Sequence, residues 1–193
     1  MGYTLYHGNT KQAIEDMVEN NSLLEKYKSS GDKHYLGDGF YFYNDLKQAE
    51  HWAKMKVTRN QKYKGQKWAV LECIVEYEEE NCLDLDQREE QEFFFYEMRR
   101  LDKQIKEKEL DIDEYCDAYF CNHLGGRLDL VILSKTFVYK DKHKIFPPLF
   151  SNVRSEPYSK TRHFRTEKQY VLRDKSIVSN LRMLHNSDLK EVK

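Results

Sequence analysis

The sequence predicts an α+β fold: a mainly antiparallel, split β-sheet with flanking helices, in a single domain over residues 1–193. Three observations point there. Short runs with strand character (YTLYHG, FYFY, WAVLECIVEY, LDLVIL, QYVL) are rich in aromatic and β-branched residues. Segments of helical periodicity separate them at irregular intervals, with no repeated βαβ period. The chain is long enough to bury its own core, and 39% hydrophobic residues, 13% aromatics and a net charge of -1 describe a globular domain.

Each element follows from its residues. YTLYHG (3–8) reads as a strand stopping at a glycine, after which Asn9 or Thr10 caps a helix to about Asn20. SSGDKHYLGDG (29–39) has three glycines in eleven residues and reads as a loop into the strand FYFY. Asp45 caps the next helix, whose apolar face is Leu46, Ala49, Trp52, Ala53 and Val57. WAVLECIVEY (68–77) is a core strand. Phe94, Phe95, Met98, Leu101 and Ile105 form an amphipathic stripe on a helix from Arg88 to Glu109, and a second helix spans Ile112 to His123; the two make an acidic helical insertion at about 88–123. Gly125 and Gly126 break that helix, and LDLVIL (128–133) is a buried strand. Residues 140–165 hold all three prolines and read as a long irregular connection. QYVL (169–172) is a last short strand, with a helix or turn around Ile177 to Leu184.

Charge is distributed unevenly. Residues 72–117 carry 18 acidic against 6 basic residues, whereas 135–193 carry 14 basic against 6 acidic. A basic final third attracts nucleic acid by counterion release, or pairs with the acidic segment inside the fold or with an acidic partner protein. No run of 18 or so apolar residues offers a membrane span, and MGYTLYHGNTKQ lacks the layout of a signal peptide, so a cytoplasmic location and no membrane partner are expected. Cys73, Cys82, Cys116 and Cys121 form no CxxC knuckle and read as free thiols; no metal site is expected. A phosphate-binding GxxxxGK[ST] loop, an HExxH helix and a GxSxG elbow are all missing, which leaves P-loop hydrolysis, zinc proteolysis and serine hydrolysis without support. His34, His51, His123, His143, His163 and His185 read as surface or loop residues.

Three short pieces carry the chemistry as an ordered set: Tyr6-His7-Gly8, Gly37-Asp38-Gly39-Phe40-Tyr41-Phe42, and Gln169-Tyr170-Val171-Leu172. Together they resemble the poly(ADP-ribose) polymerase and diphtheria-toxin class of ADP-ribosyltransferases, with its His-Gly strand, G-x-G-[IFV]-Y-F strand and late Glu-Tyr-Val strand. Bacterial proteins with Y-H-G, G-x-G-F-Y, a Trp-Ala helix and a late Gln are similar too. The likeness covers the first 55 residues well and the last strand loosely. It implies an ADP-ribosyltransferase-like split sheet and NAD as the cofactor, used as substrate. His7 would bond a ribose hydroxyl, and the Gly8 backbone the nicotinamide carboxamide, with Gly39 in the same pocket. Tyr41 would stack on one face of the nicotinamide, and Trp52, eleven residues on, would close the other. A desolvated slot then favours departure of neutral nicotinamide from a cationic precursor, leaving a sugar carbon of oxocarbenium character.

The chain departs from the pattern where the glutamate is expected. Gln169 can hydrogen-bond a hydroxyl but cannot balance a developing cation; Glu167, two residues earlier, shares its strand face and is the other candidate. The resemblance implies mono-ADP-ribosyl transfer to a macromolecular acceptor, nucleic acid such as RNA slightly ahead of protein, with Arg162, Arg165 and Lys168 facing that acceptor. It also implies a toxin or phage-defence effector held in check by an antitoxin or inhibitor protein. The alternatives are a catalytically inactive NAD-binding sensor or interaction module, and a plain nucleic-acid-binding domain.

Overall fold

Thr10 marks the switch from the first strand to the first helix. Its backbone is extended, its hydroxyl accepts the Ala13 N–H, and β1 (Gly2–Thr10) gives way to α1 (Lys11–Glu19). Asp45 does the same for α2 (Leu46–Arg59), accepting the Lys47 and Gln48 N–H groups just after β2 (Phe40–Tyr43). The remaining elements are β3 (Trp68–Glu76), β4 (Cys82–Asp84), α3 (Arg88–Glu107), α4 (Asp117–Arg127), β5 (Ile132–Tyr139), β6 (Arg165–Leu172) and β7 (Val178–Leu184). The computed structural model describes residues 2–31, 34–107, 117–139 and 165–184.

Among the described residues, seven strands form one sheet in the order β4-β5-β6-β2-β1-β3-β7. Every pairing is antiparallel except β4 with β5. The fold is therefore α+β with a mainly antiparallel sheet, as the sequence predicts. Alternation sorts the side chains onto two faces. Leu5, Phe40, Phe42, Leu71, Cys73, Val75 and Leu172 meet Ile14 and Met17 of α1 on one. On the other, Leu133 and Val171 meet Phe94, Leu101 and Ile105 of α3 and Phe120 and Leu124 of α4. Beside these, α2 lays Ala49 against Tyr43 and Val70. No helix is long and apolar enough to cross a membrane among the described residues. Cys73, Cys82 and Cys121 are free thiols, and Cys116 lies outside the described residues.

Several elements differ from their sequence reading. Gly125 and Gly126 do not break α4, which runs through both to Arg127. A Cβ at Gly125 would strike the Arg173 guanidinium, so that glycine makes room for a side chain and the helix continues. LDLVIL is strand only from Ile132, and QYVL is the end of a longer strand that is not the last. Where a helix or turn is expected, Val178–Leu184 is β7, paired with β3. Phe95 and Trp52, assigned to apolar stripes, are half exposed, at 50% and 41%. The irregular connection at 140–164 and the first residues of the helix expected from Ile112 lie outside the described residues.

Candidate functional site

Strand β2 sits between β6 and β1, and the two contacts are unequal. All four of its residues register with β6, from Phe40↔Leu172 to Tyr43↔Gln169, whereas only Tyr43 registers with β1, opposite Tyr6. Beyond that point the strands diverge. His7 bridges the gap with its side chain: Nδ1 donates to the Tyr41 carbonyl at 2.7 Å. Gly8, Asn9 and Thr10 keep their partners on β3 alone.

The His7 ring is buried against Phe42, with centroids 5.3 Å apart. Its Nε2 accepts from the Asn9 side-chain amide at 3.1 Å, and Asn9 Oδ1 accepts the Thr10 N–H at 2.8 Å. These two bonds assign the proton to Nδ1 and make His7 a neutral acceptor at Nε2. Burial pushes the imidazole down from 6.5 to about 4; the bond to Tyr41 opposes this and the nearby Lys56 charge adds to it. A ribose hydroxyl bonding Nε2 would replace or share the Asn9 amide.

Tyr41 points to the opposite face. Its hydroxyl donates to the Gly37 carbonyl at 2.8 Å and accepts the Leu36 N–H at 3.2 Å, so the ring ties down the glycine loop that precedes it. Burial raises its pKa. His34, read as a surface or loop histidine, is half-buried with its ring 5.4 Å from Tyr41. Trp52 stacks instead on Tyr43, at 6.5 Å and 24°. The structure thus pairs Trp52 with the neighbour two residues along from the tyrosine expected to share a ligand with it.

Glu167 and Gln169 do share one face of β6; the ladder sets Gln169 opposite Tyr43 of β2, while Glu167 registers with Phe137 of β5. Both are buried, at 2% and 4% exposure, and both are engaged with partners. Gln48 at the start of α2 reaches the same strand, donating to the Thr166 carbonyl at 2.8 Å. Gly8 is covered by α2: a Cβ there would collide with the Ala49 carbonyl and lie 3.0 Å from the Ala53 nitrogen. At Gly39 a Cβ would meet Val171 and, at 2.7 Å, the Leu172 carbonyl. Both glycines thus have packing reasons to be glycine.

Among the described residues, two basic residues of the last third form ion pairs with the acidic segment. Lys168, assigned to an acceptor, pairs with Asp84 at 2.7 Å and Asp86 at 3.1 Å, and Arg182 pairs with Glu72 at 2.8 Å. All three carboxylates belong to the acidic segment 72–117, so the internal pairing that the charge pattern allowed is realised here. Arg162 and the Arg165 side chain lie outside the described residues.

Sequence reasoning missed Arg173, Asn122 and Lys56. Arg173 follows β6 and donates to the Cys121 carbonyl and to Asn122 Oδ1, each at 2.9 Å; Asn122 Oδ1 also accepts the Asp38 N–H at 2.7 Å. Gly37, at φ 80°, packs against Asn122. This chain of bonds holds the loop that fixes Tyr41. We expect Arg173→Ala to cost about 2 kcal/mol in urea melts, because it strands partly buried acceptors; an unchanged midpoint would show that the clamp is dispensable. Lys56 stands on the α2 stripe one turn past Ala53, where its spacing from Ala49 and Ala53 was the available signal.

No protein-family model matches the chain, and no solved structure matches it. An uncharacterized protein of Methanocaldococcus jannaschii is 36% identical over 92 residues, which cover 47% of this chain and 41% of that protein. The chain therefore spans well under half the length of that relative.

Proposed function

We propose that the protein is a mono-ADP-ribosyltransferase that moves ADP-ribose from NAD to a macromolecular acceptor, in the manner of a toxin or defence effector. The observation that carries the reading is the divergence of β1 from β2 at His7 and Gly8. It leaves one backbone edge of Gly8 unladdered by β2, and backbone amide and carbonyl groups at such an edge suit a planar carboxamide. Glu167 on the neighbouring strand supplies a carboxylate on the Tyr41 face.

The reaction breaks the bond between the ribose anomeric carbon and the nicotinamide nitrogen. The bonding pair leaves with nicotinamide, which departs neutral. An acceptor lone pair forms the new bond to that carbon, and the acceptor proton passes to the Glu167 carboxylate. Gln169 orients a ribose hydroxyl. Because Lys168 is held by Asp84 and Asp86, it is not a cation for an acceptor, and the lean towards nucleic acid loses one of its three residues.

Glu167→Gln should leave NAD binding in place and lower transfer at least 100-fold, the usual scale of a lost general base. Labelled NAD incubated with the purified chain, cell protein and RNA measures it. Equal labelling by both forms would remove Glu167 from the mechanism. One second reading has its own observation: His7 has both nitrogens engaged and Gln169 carries no charge, which suits a module that binds NAD without transfer. That module binds NAD and labels no acceptor.

A further inference from the structure

Lys56 and Lys62 converge on one aromatic ring. The Lys56 ammonium lies 4.9 Å from the centroid of Tyr63, and that of Lys62 lies 5.3 Å from it. Each contact is favourable with the ring, but two like charges held by one ring repel. The neighbouring lysine on α2 is treated differently: Lys54 pairs with Glu50. Neither Lys56 nor Lys62 pairs with a carboxylate among the described residues. Lys56 is also half-buried, so its charge is kept partly out of water.

Helical spacing explains the placement. Ala49, Ala53 and Lys56 lie on one stripe of α2, and the first two are the residues under which Gly8 fits. Lys56 is thus carried one turn beyond the Gly8 contact. Burial makes both His7 and His34 less basic than usual, and the Lys56 charge adds to the effect at each. Burial and Lys62 in turn make the Lys56 ammonium easier to deprotonate. A half-buried cation with a second cation for a neighbour, and no acid paired with it among the described residues, is stabilised by an anion.

We infer that Lys56 and Lys62, gathered around Tyr63 at the end of α2, form a binding site for a diphosphate ester. This rests on the NAD reading for its natural ligand, the diphosphate of the dinucleotide, and extends that reading to residues outside the motifs. A diphosphate matches the pair in charge, and a dinucleotide so held would lie along α2 towards the end of the helix that packs on Gly8.

The test is calorimetric titration of the full chain with NAD, ADP-ribose, inorganic pyrophosphate and nicotinamide. Lys56→Met keeps the aliphatic stem and removes the charge; exposed Lys62→Met is a second variant with little risk to folding. The expected result is that the wild type binds NAD, ADP-ribose and pyrophosphate. Each substitution should then weaken these three roughly tenfold, the double substitution more, with nicotinamide unaffected. Wild-type affinity for ADP-ribose retained by the double variant would overturn the site and leave the NAD reading standing. Lysine-dependent binding of pyrophosphate without binding of NAD or ADP-ribose would keep the anion site and overturn the NAD reading. No binding of NAD, ADP-ribose or pyrophosphate by the wild type would overturn the site.

Discussion

Gly8→Ala is expected to cost about 3 kcal/mol of stability, because the added methyl group lands on the Ala49 carbonyl, which is helix backbone and cannot step aside. For a domain of this size that lowers the melting temperature by roughly 6–12 °C. The helix would have to lift from the sheet to make room. Gly126→Ala makes the internal control. It lies in α4 with nothing within 4 Å of the new Cβ, so the substitution should stabilise by about 0.5–1 kcal/mol through helix propensity. Thermal melts of the two variants should move in opposite directions. Equal melting of Gly8→Ala and the wild type would disprove the close approach of α2 to β1.

The second large effect is acid sensitivity centred on His7. Unfolded, the imidazole titrates near 6.5; folded, near 4. Above pH 6.5 both states are neutral. Between the two values the unfolded chain binds the extra proton, so stability falls as pH drops through this window and levels off below about 4. The whole span amounts to about 3 kcal/mol from this group. His34, whose burial also makes it less basic, pushes the same way. Urea melts at pH 7 and pH 4.5 measure the loss, and His7→Gln, which keeps a donor for the Tyr41 carbonyl and does not titrate, should remove most of the slope. Parallel losses in both proteins would mean that other groups govern the acid limb.

Legibility in the sequence tracked how local the determining forces were. Thr10 and Asp45 cap the neighbouring helices and were readable as caps, because a cap is a contact over two or three residues. FYFY and WAVLECIVEY declared themselves by composition. By contrast, β7 hides its alternation. Ser179 faces Ile74 and Arg182 faces Glu72, so β7 spends an extra residue there, with Asn180 at φ 54°. That bulge leaves Val178, Leu181 and Leu184 at helix-like spacing. The short strand β4 exists through its parallel pairing with β5, which no local signal announces.

The site divides along the same line. That Glu167 and Gln169 would share a face followed from strand period alone, and the ladder with β2 adds that Tyr41 and Tyr43 lie on that face. The partner of Trp52 did not follow, since Tyr41 and Tyr43 are equivalent in period and only packing chooses between them. Nor did Lys168, whose carboxylate partners lie on the far side of β5 in the sheet order. Long-range ion pairs and helix-to-loop clamps such as Arg173 with Asn122 are products of the assembled fold.

The position of β2 in the sheet also sets an order of events during synthesis. Tyr41 and Tyr43 are made early, yet the strand that ladders all of β2 is β6, with β1 joining it at one residue only. Until β6 has left the ribosome, β2 is an aromatic ribbon lacking its main neighbour, and the face that carries Glu167 does not exist. Pairings this distant in sequence form slowly. A nascent chain therefore carries β2 without its main ladder partner through most of its production, so the central pairing of the sheet is among the last to close.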